Sequence, residues 1–225
     1  MTSPVLELPS APPAASAVFG DRLPLAVQYA ELLAGAGVER GLIGPREPAR
    51  LWERHLLNCA GLAELLSPGE HVLDLGSGAG LPGIVLGVLR DDVQIELVEP
   101  LLRRATFLTE AVDALGLSHV SVRRARGEEL AGKVIADVVT ARAVAPLDRL
   151  NGWAMPLLRA GGRLLALKGD QADSELAQTR PALRKAGADS AEVITVGSAE
   201  TLTEARVVVV VRGPGAVDRR RTERR

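Results

Sequence analysis

The stretch HVLDLGSGAGLPGIVLG, residues 71–87, decides how the rest of the chain is read. An apolar strand at 71–75 carries an acid, Asp74, near its end and runs into a loop with glycines at 76, 78, 80 and 83. An apolar helix pattern follows at 82–90, with Pro82 in its first turn, where the missing N–H costs nothing. Strand, glycine loop and helix in this order form the start of a βαβ unit whose loop holds a nucleotide-like ligand.

Working outward, short apolar runs recur at 94–98, 119–123, 134–140 and 163–167, and helical patterns lie between them at 101–115, 146–159 and 171–186. Strands alternating with helices predict a parallel sheet covered on both faces. The last two runs, 191–197 and 205–213, are separated by a connection too short for a crossover helix, so they are expected to pair antiparallel. Upstream, residues 21–39 and 47–66 carry apolar residues at helical spacing; in the second, Leu51, Trp52, His55, Leu56, Cys59 and Leu62 recur every three or four residues. The expected organisation is a disordered leader at 1–16, a helical extension at 17–70, an α/β domain at 71–212 and a basic disordered tail at 213–225. Seven strands are expected in the sheet, five parallel and closed by an antiparallel hairpin.

With 225 residues, 47% of them hydrophobic, the chain can bury one sizeable core. No apolar run approaches the ~18 residues that would cross a membrane. The N-terminus lacks the basic and long apolar regions of a secretory signal. One cysteine, Cys59, rules out an internal disulfide and a cysteine-rich zinc site. A cytoplasmic, metal-free protein is expected. The formal net charge is only −1, yet the cations are almost all arginines, in clusters at Arg103-Arg104, Arg123-Arg124-Arg126 and 219–225. Local clusters of this kind suit phosphate on one face of a nearly neutral protein, although solvated helix ends give the same pattern. Two Phe, two Trp and one Tyr are too few for a platform that stacks single-stranded bases.

Residues 78–83, Gly-Ala-Gly-Leu-Pro-Gly, satisfy the dinucleotide pattern G-x-G-x-x-G, so a nicotinamide-dependent oxidoreductase is one reading. The strand, however, ends at Leu75, and a further glycine precedes the triplet, giving Asp74-x-Gly76-x-Gly78-x-Gly80. A carboxylate there repels a pyrophosphate and suits a cationic, phosphate-free ligand; S-adenosylmethionine, with its sulfonium and amino group, is one. The alternative for Asp74 is a helix cap. Gly76, Ser77, Gly78, Gly80 and Leu81 are then the loop positions expected against the cofactor. Glu99, closing the second strand, is expected to accept both ribose hydroxyls. Gly127-Glu128, after the third strand, would line the adenine edge. Arg142 follows the fourth strand, where its fork of donors can orient substrate or cofactor; Lys168 lies at the tip of the fifth.

The stretches RHLLNC (54–59), DLGSGAGLPGIVL (74–86), VEPLLRRATFL (98–108), TARAVAPL (140–147) and LALKG (165–169) occur in this order. Together they resemble the bacterial 16S ribosomal RNA guanine-N7 methyltransferases, the glucose-inhibited division protein B family, especially its actinobacterial branch. The resemblance spans roughly residues 17–212. It implies a class I S-adenosylmethionine-dependent methyltransferase fold, Rossmann-like, and methylation of N7 of one guanine in the 530 loop of 16S rRNA. Cofactor contacts of the family map onto Gly76, Leu81, Gly127-Glu128 and Arg142. Gly127 stands where the family usually has Ala or Val, and Ala141 where it usually has Ser.

Guanine N7 carries a free lone pair, so its methylation needs positioning and no general base. Arg142 is therefore the one residue assigned to the chemistry, and Cys59 is read as a packed helical thiol. Arg54, His55, Arg103, Arg104, Arg123, Arg124 and Lys168 are the candidate RNA contacts, giving affinity more than sequence choice. The expected partner is 16S rRNA in the 30S ribosomal subunit, met by a monomer. Besides the oxidoreductase, the rival readings are a methyltransferase of the same fold acting on another RNA or a small molecule, and a non-catalytic RNA-binding factor.

Overall fold

The computed structural model describes residues 9–197 and 204–214; the arginines at 219–225, expected in a basic tail, lie outside them. Among the described residues one sheet is formed by β1 (His71–Leu75), β2 (Gln94–Val98), β3 (Val120–Arg123), β4 (Ala136–Arg142), β5 (Leu158–Lys168), β6 (Ala188–Val196) and β7 (Ala205–Arg212). The strand order is β3-β2-β1-β4-β5-β7-β6. The first five strands run parallel, and β7 lies antiparallel between β5 and β6. β5 begins earlier than its apolar run, at Leu158, whose pairing with Ala136 is offset by an irregularity before Val138. β4 runs two residues further than expected, so Arg142 is its last residue, paired with Leu167, and does not follow the strand.

β1 is apolar on both sides because both sides are buried. Val72 faces a core built with the helical extension, α4 (Gly83–Leu89) and α5 (Leu102–Leu115). Leu73 and Leu75 face the opposite core, with α6 (Leu147–Ala154) and α7 (Ala172–Lys185). The helical extension thus replaces part of one helical layer and is packed on the sheet.

The extension contains α1 (Pro13–Phe19), α2 (Leu23–Leu32) and the single turn α3 (Asn58–Ala60), joined by wider π-helical turns at Leu33–Gly37 and Leu51–Leu57. The regular helix expected over 47–66 is therefore interrupted, and π-type turns of this kind widen the local spiral. α1 also starts inside the stretch expected to be a disordered leader. Ala15 is fully buried, Phe19 sets its ring edge against Trp52 at 6.4 Å, and Trp52 Nε1 donates to the Pro9 carbonyl at 3.0 Å. Small alanines lose little side-chain freedom on ordering, and Ala14, Ala15 and Phe19 are buried in the core, which outweighs a composition that reads as disordered.

The order of strands reverses between β1 and β4, because the chain moves outward from β1 through β2 and β3 and then returns to build β4 and β5 on the other side. Asp74 pairs with Thr140 across this junction. Open α/β sheets bind ligands beyond the carboxyl ends of strands at such a point. The glycine loop leaves from one side of it, and Arg142 stands on the other.

Candidate functional site

The glycine loop turns through three left-handed residues, Gly76, Gly78 and Gly80, at φ 68, 59 and 101°. Side chains rarely adopt this conformation, which explains the alternation of glycines, and at Gly80 a Cβ would also come within 2.5 Å of Ile84. The backbone folds on itself: the N–H groups of Gly76 and Ser77 both donate to the Val98 carbonyl of β2, and Gly80 N–H donates to Ser77 O at 2.7 Å. The Ser77 hydroxyl is buried and donates to the Asp74 carbonyl at 2.8 Å. The side chain of Ser77, a loop position expected against the cofactor, thus braces the loop from within.

Asp74 also lies deeper than its position at a strand end suggests. It is fully buried, and its Oδ2 accepts the N–H of Gly83 at 3.1 Å, capping the first turn of α4. Its Oδ1 has no hydrogen-bond partner among the described residues. Burial, opposed only in part by the Gly83 hydrogen bond and the neighbouring Ser77 hydroxyl, pushes its acid up to about 7. This carboxyl supports the loop from below.

Glu99, also buried, grips the loop from the side. One oxygen accepts Gly78 N–H at 3.0 Å, the other accepts Leu101 N–H at 2.9 Å, and the Arg104 guanidinium stands 3.8 Å away. Each carboxylate oxygen keeps a further lone pair for a ligand hydroxyl. Space is uneven around the glycines. A Cβ on Gly78 would meet nothing closer than 3.7 Å, whereas one on Gly76 would come within 3.0 Å of Val144, which leans across from the segment after β4. Gly127 opens the 3-10 turn Gly127–Leu130 and faces Leu75 and Trp153 with room for a Cβ; Glu128 beside it is exposed. Leu81 is buried under the loop.

Arg142 is held by the extension. One of its terminal nitrogens donates to the Cys59 sulfur at 3.2 Å and the other to Nδ1 of His55, whose Nε2 bonds Glu47 Oε2 at 2.5 Å. His55, expected to touch RNA, is therefore turned inward and only 7% exposed. Burial and the neighbouring Arg142 hold its imidazole below the ordinary histidine range, against the pull of Glu47. Cys59 is a buried thiol pushed up to about 11 by desolvation, so it is no thiolate nucleophile at neutral pH.

Tyr29, on α2, was not among the expected site residues, yet its hydroxyl donates to the Ala79 carbonyl in the glycine loop at 2.8 Å. Its ring is buried, and desolvation keeps the phenol protonated well above its usual range. Glu47 and Val144 were also missed. No spacing rule reveals them, because their partners lie on other elements.

The arginines separate into two groups. Arg104 and Arg124 surround the turn after β2: Arg104 pairs with Glu99, and Arg124 Nε donates to the Pro100 carbonyl at 3.4 Å. Arg103, on the same helix as Arg104, is exposed. Arg123 lies at 2.5 Å from Glu96, and Arg54 at 3.6 Å from Glu47. Lys168, expected at phosphate, is engaged within the protein. Its ammonium lies 2.9 Å from Glu175 and donates to the Ala145 carbonyl at 3.2 Å. It ties down the segment after β4.

A family described as rRNA small subunit methyltransferase G matches residues 22–203. Three relatives, each called ribosomal RNA small subunit methyltransferase G, come from Streptomyces avermitilis, Thermobifida fusca and Mycolicibacterium vanbaalenii. They are 58%, 57% and 51% identical, over 94%, 88% and 97% of this chain and 90%, 83% and 97% of theirs. Among solved structures, a methyltransferase from Pyrococcus furiosus matches at TM-score 0.55 and 16% identity, over 86% of this chain and 98% of that one. The N-methyltransferase NodS from Bradyrhizobium japonicum, in complex with S-adenosyl-L-homocysteine, matches at TM-score 0.52 and 15% identity, over 79% and 97%. At these identities the two structures speak for the fold, a class I methyltransferase sheet.

Proposed function

The chain belongs to the rRNA small subunit methyltransferase G family, and from that premise we propose that it transfers a methyl group to N7 of one guanine in the 530 loop of 16S rRNA. The observation that supports this site for the reaction is the meeting of the glycine loop after β1 and Arg142 at the end of β4, side by side where the strand order reverses.

S-adenosylmethionine, when bound, supplies an electrophilic methyl on its sulfonium. The residues present fit it: Gly78 leaves an open face, Glu99 offers two buried oxygens at the tip of β2, and Asp74 keeps a buried acceptor without a partner. In this reading Gly78 lets the backbone approach the ligand, and Gly76, Gly80 and Leu81 give the loop the shape that borders it. Glu99 accepts the ribose hydroxyls, and Gly127-Glu128 border the base. Asp74 supports the loop through one oxygen and keeps the other, without a partner among the described residues, for the ligand side. A nicotinamide dinucleotide fits poorly, because the first N–H of α4, which would receive its pyrophosphate, is already capped by the Asp74 carboxylate.

Arg142 donates to whichever acceptor it meets, guanine O6 or the cofactor carboxylate, and so fixes one partner relative to the other. Because N7 has its lone pair in the neutral base, nothing in the site has to remove a proton. Positioning of this kind lowers a barrier by roughly 7–11 kcal/mol. Arg103, Arg104, Arg123 and Arg124 provide phosphate contacts at the β2–β3 end of the site. The same proposal includes action on the assembled small subunit, by a monomer, in the cytoplasm. No described helix is long and apolar enough to cross a membrane.

Tritiated S-adenosylmethionine, the purified protein and small ribosomal subunits lacking the modification test the proposal. Borohydride–aniline cleavage then locates N7-methylguanine. One cut in the 530 loop is the expected result. Methyl incorporation elsewhere would leave the chemistry and remove the target, and transfer to a small acceptor without RNA would replace the substrate class.

A further inference from the structure

Arg142 draws its fixed contacts from the helical extension, and those contacts carry information about protons. A guanidinium has donors and no acceptor, so the ring nitrogen that faces it must hold a lone pair. That nitrogen is Nδ1 of His55. The single proton of the neutral ring therefore lies on Nε2, aimed at Glu47 Oε2 2.5 Å away. A second proton on the ring would set N–H against N–H and break the contact with Arg142. Carboxylate, imidazole and guanidinium form a directed chain in which only the neutral imidazole fits.

We propose that His55 is a positioning residue for Arg142: clamped by Glu47, its neutral ring holds the guanidinium at the switch point, and methyl transfer falls on the acid side as this one ring takes up a proton. The inference rests on the reading above that Arg142 orients the reacting partners. The groups that face the ring are Glu47 from the preceding loop, Arg54 from its own turn and Arg142 from β4; beyond Arg142 lie Cys59, Tyr29 and Asp74. Burial and the two arginines oppose the imidazolium and Glu47 favours it, with a net shift below the ordinary histidine range. At neutral pH the clamp is closed.

Three variants and one spectrum test this. In the parent protein, kcat should fall at acid pH with uptake of one proton, at an apparent pKa under the usual ~6.5 of histidine. His55→Asn presents an acceptor near the Nδ1 position and does not titrate, so it should rescue most of the neutral-pH rate and lose this acid limb. His55→Leu fills the space without an acceptor and should lower kcat about 10- to 100-fold, more than it raises KM for the small subunit. Glu47→Gln keeps an acceptor for Nε2–H but removes the charge that favours the imidazolium, and should move the acid limb to lower pH. Independently of turnover, ring-nitrogen shifts in the free protein, with His55 assigned by its absence in His55→Asn, should report an Nε2–H tautomer. An Nδ1–H tautomer, an acid limb unchanged in His55→Asn, or an unimpaired His55→Leu would each overturn the proposal. If the parent protein transfers no methyl at any pH, the functional reading falls, and the ring-nitrogen shifts still decide the clamp.

Discussion

The two sides of the site are braced in opposite ways. On the β1 side, the glycine loop is held by residues near it in sequence: Asp74 to Gly83 is a separation of 9, and Glu99 to Gly78 one of 21. On the β4 side, Arg142 is held by Cys59 and His55, 83 and 87 residues away. Tyr29 links the two regions, reaching the loop from the extension across 50 residues. A cofactor loop built from local contacts can form with its own βαβ unit. An arginine positioned by a remote helical segment is placed only once that segment has packed on the sheet. In this protein the extension is thus a structural part of the site.

The hardest test of local bracing is Gly83→Ala. A Cβ there would lie 2.2 Å from Leu97 and 2.7 Å from the Asp74 carboxylate, all buried. Overpacking of this kind should cost about 3 kcal/mol, visible in a denaturant unfolding curve together with loss of cofactor affinity. A variant as stable as the parent would mean that the loop is not locked to Asp74. On the remote side, Arg142→Ala should leave the fold intact and reduce turnover about 100-fold or more. Near-normal turnover in the methyl-transfer assay would remove Arg142 from the chemistry and make the extension a mere scaffold.

Asp74 gives the comparison a pH signature. Its folded-state value of about 7 lies above the ~3.9 of an unfolded aspartate. Between these values the folded protein holds a proton that the unfolded chain has released. The stability this group contributes is therefore complete below about pH 4 and is lost as pH rises towards 7, by up to about 1.4 kcal/mol per pH unit. Asp74→Asn retains an acceptor for Gly83 N–H and should flatten that part of the pH profile of urea midpoints. Parallel profiles for the two proteins would show that the buried acid is ionised throughout.

The smallest expected effect is that of Tyr29→Phe, which removes one hydroxyl and leaves the Ala79 carbonyl without its donor. A loss of about 1 kcal/mol is expected, and calorimetry should show it as weaker cofactor binding if the extension steadies the loop. Destabilisation with unchanged cofactor affinity would confine Tyr29 to packing and separate the two regions more sharply.

Much of this was legible in the chain itself. The strand and helix order, the antiparallel ending and the loop from Gly76 to Gly83 follow from periods and spacings that are local by nature. The place of Glu99 could be read for the same reason: it is the first residue beyond β2, and a strand end fixes where the next residue stands. Less was legible where a residue's surroundings come from elsewhere in the chain. Asp74 reads as a charge at a ligand; the structure adds that it is buried and that one of its oxygens caps α4, because that helix folds back over it. His55 and Lys168 read as candidate RNA contacts, and their sequence neighbours give no sign of the partners the structure supplies, Arg142 and Glu47 for the one and Glu175 for the other. Residues 9–16, in a stretch that reads as a disordered leader, gain a hydrogen bond from Trp52 to Pro9 and the first turn of α1.

What the amino-acid sequence determined by itself was the alternating architecture, the glycine loop with its left-handed turns, and the acid at the tip of β2. Hydrophobic period and the freedom of glycine act over a few residues and need no partner. Only the tertiary structure decided that Tyr29, Glu47, His55 and Cys59 belong around the site. Hydrogen bonds are short and directional, so a pair 50 or 87 residues apart is specified only after the sheet and the extension have closed on a common core.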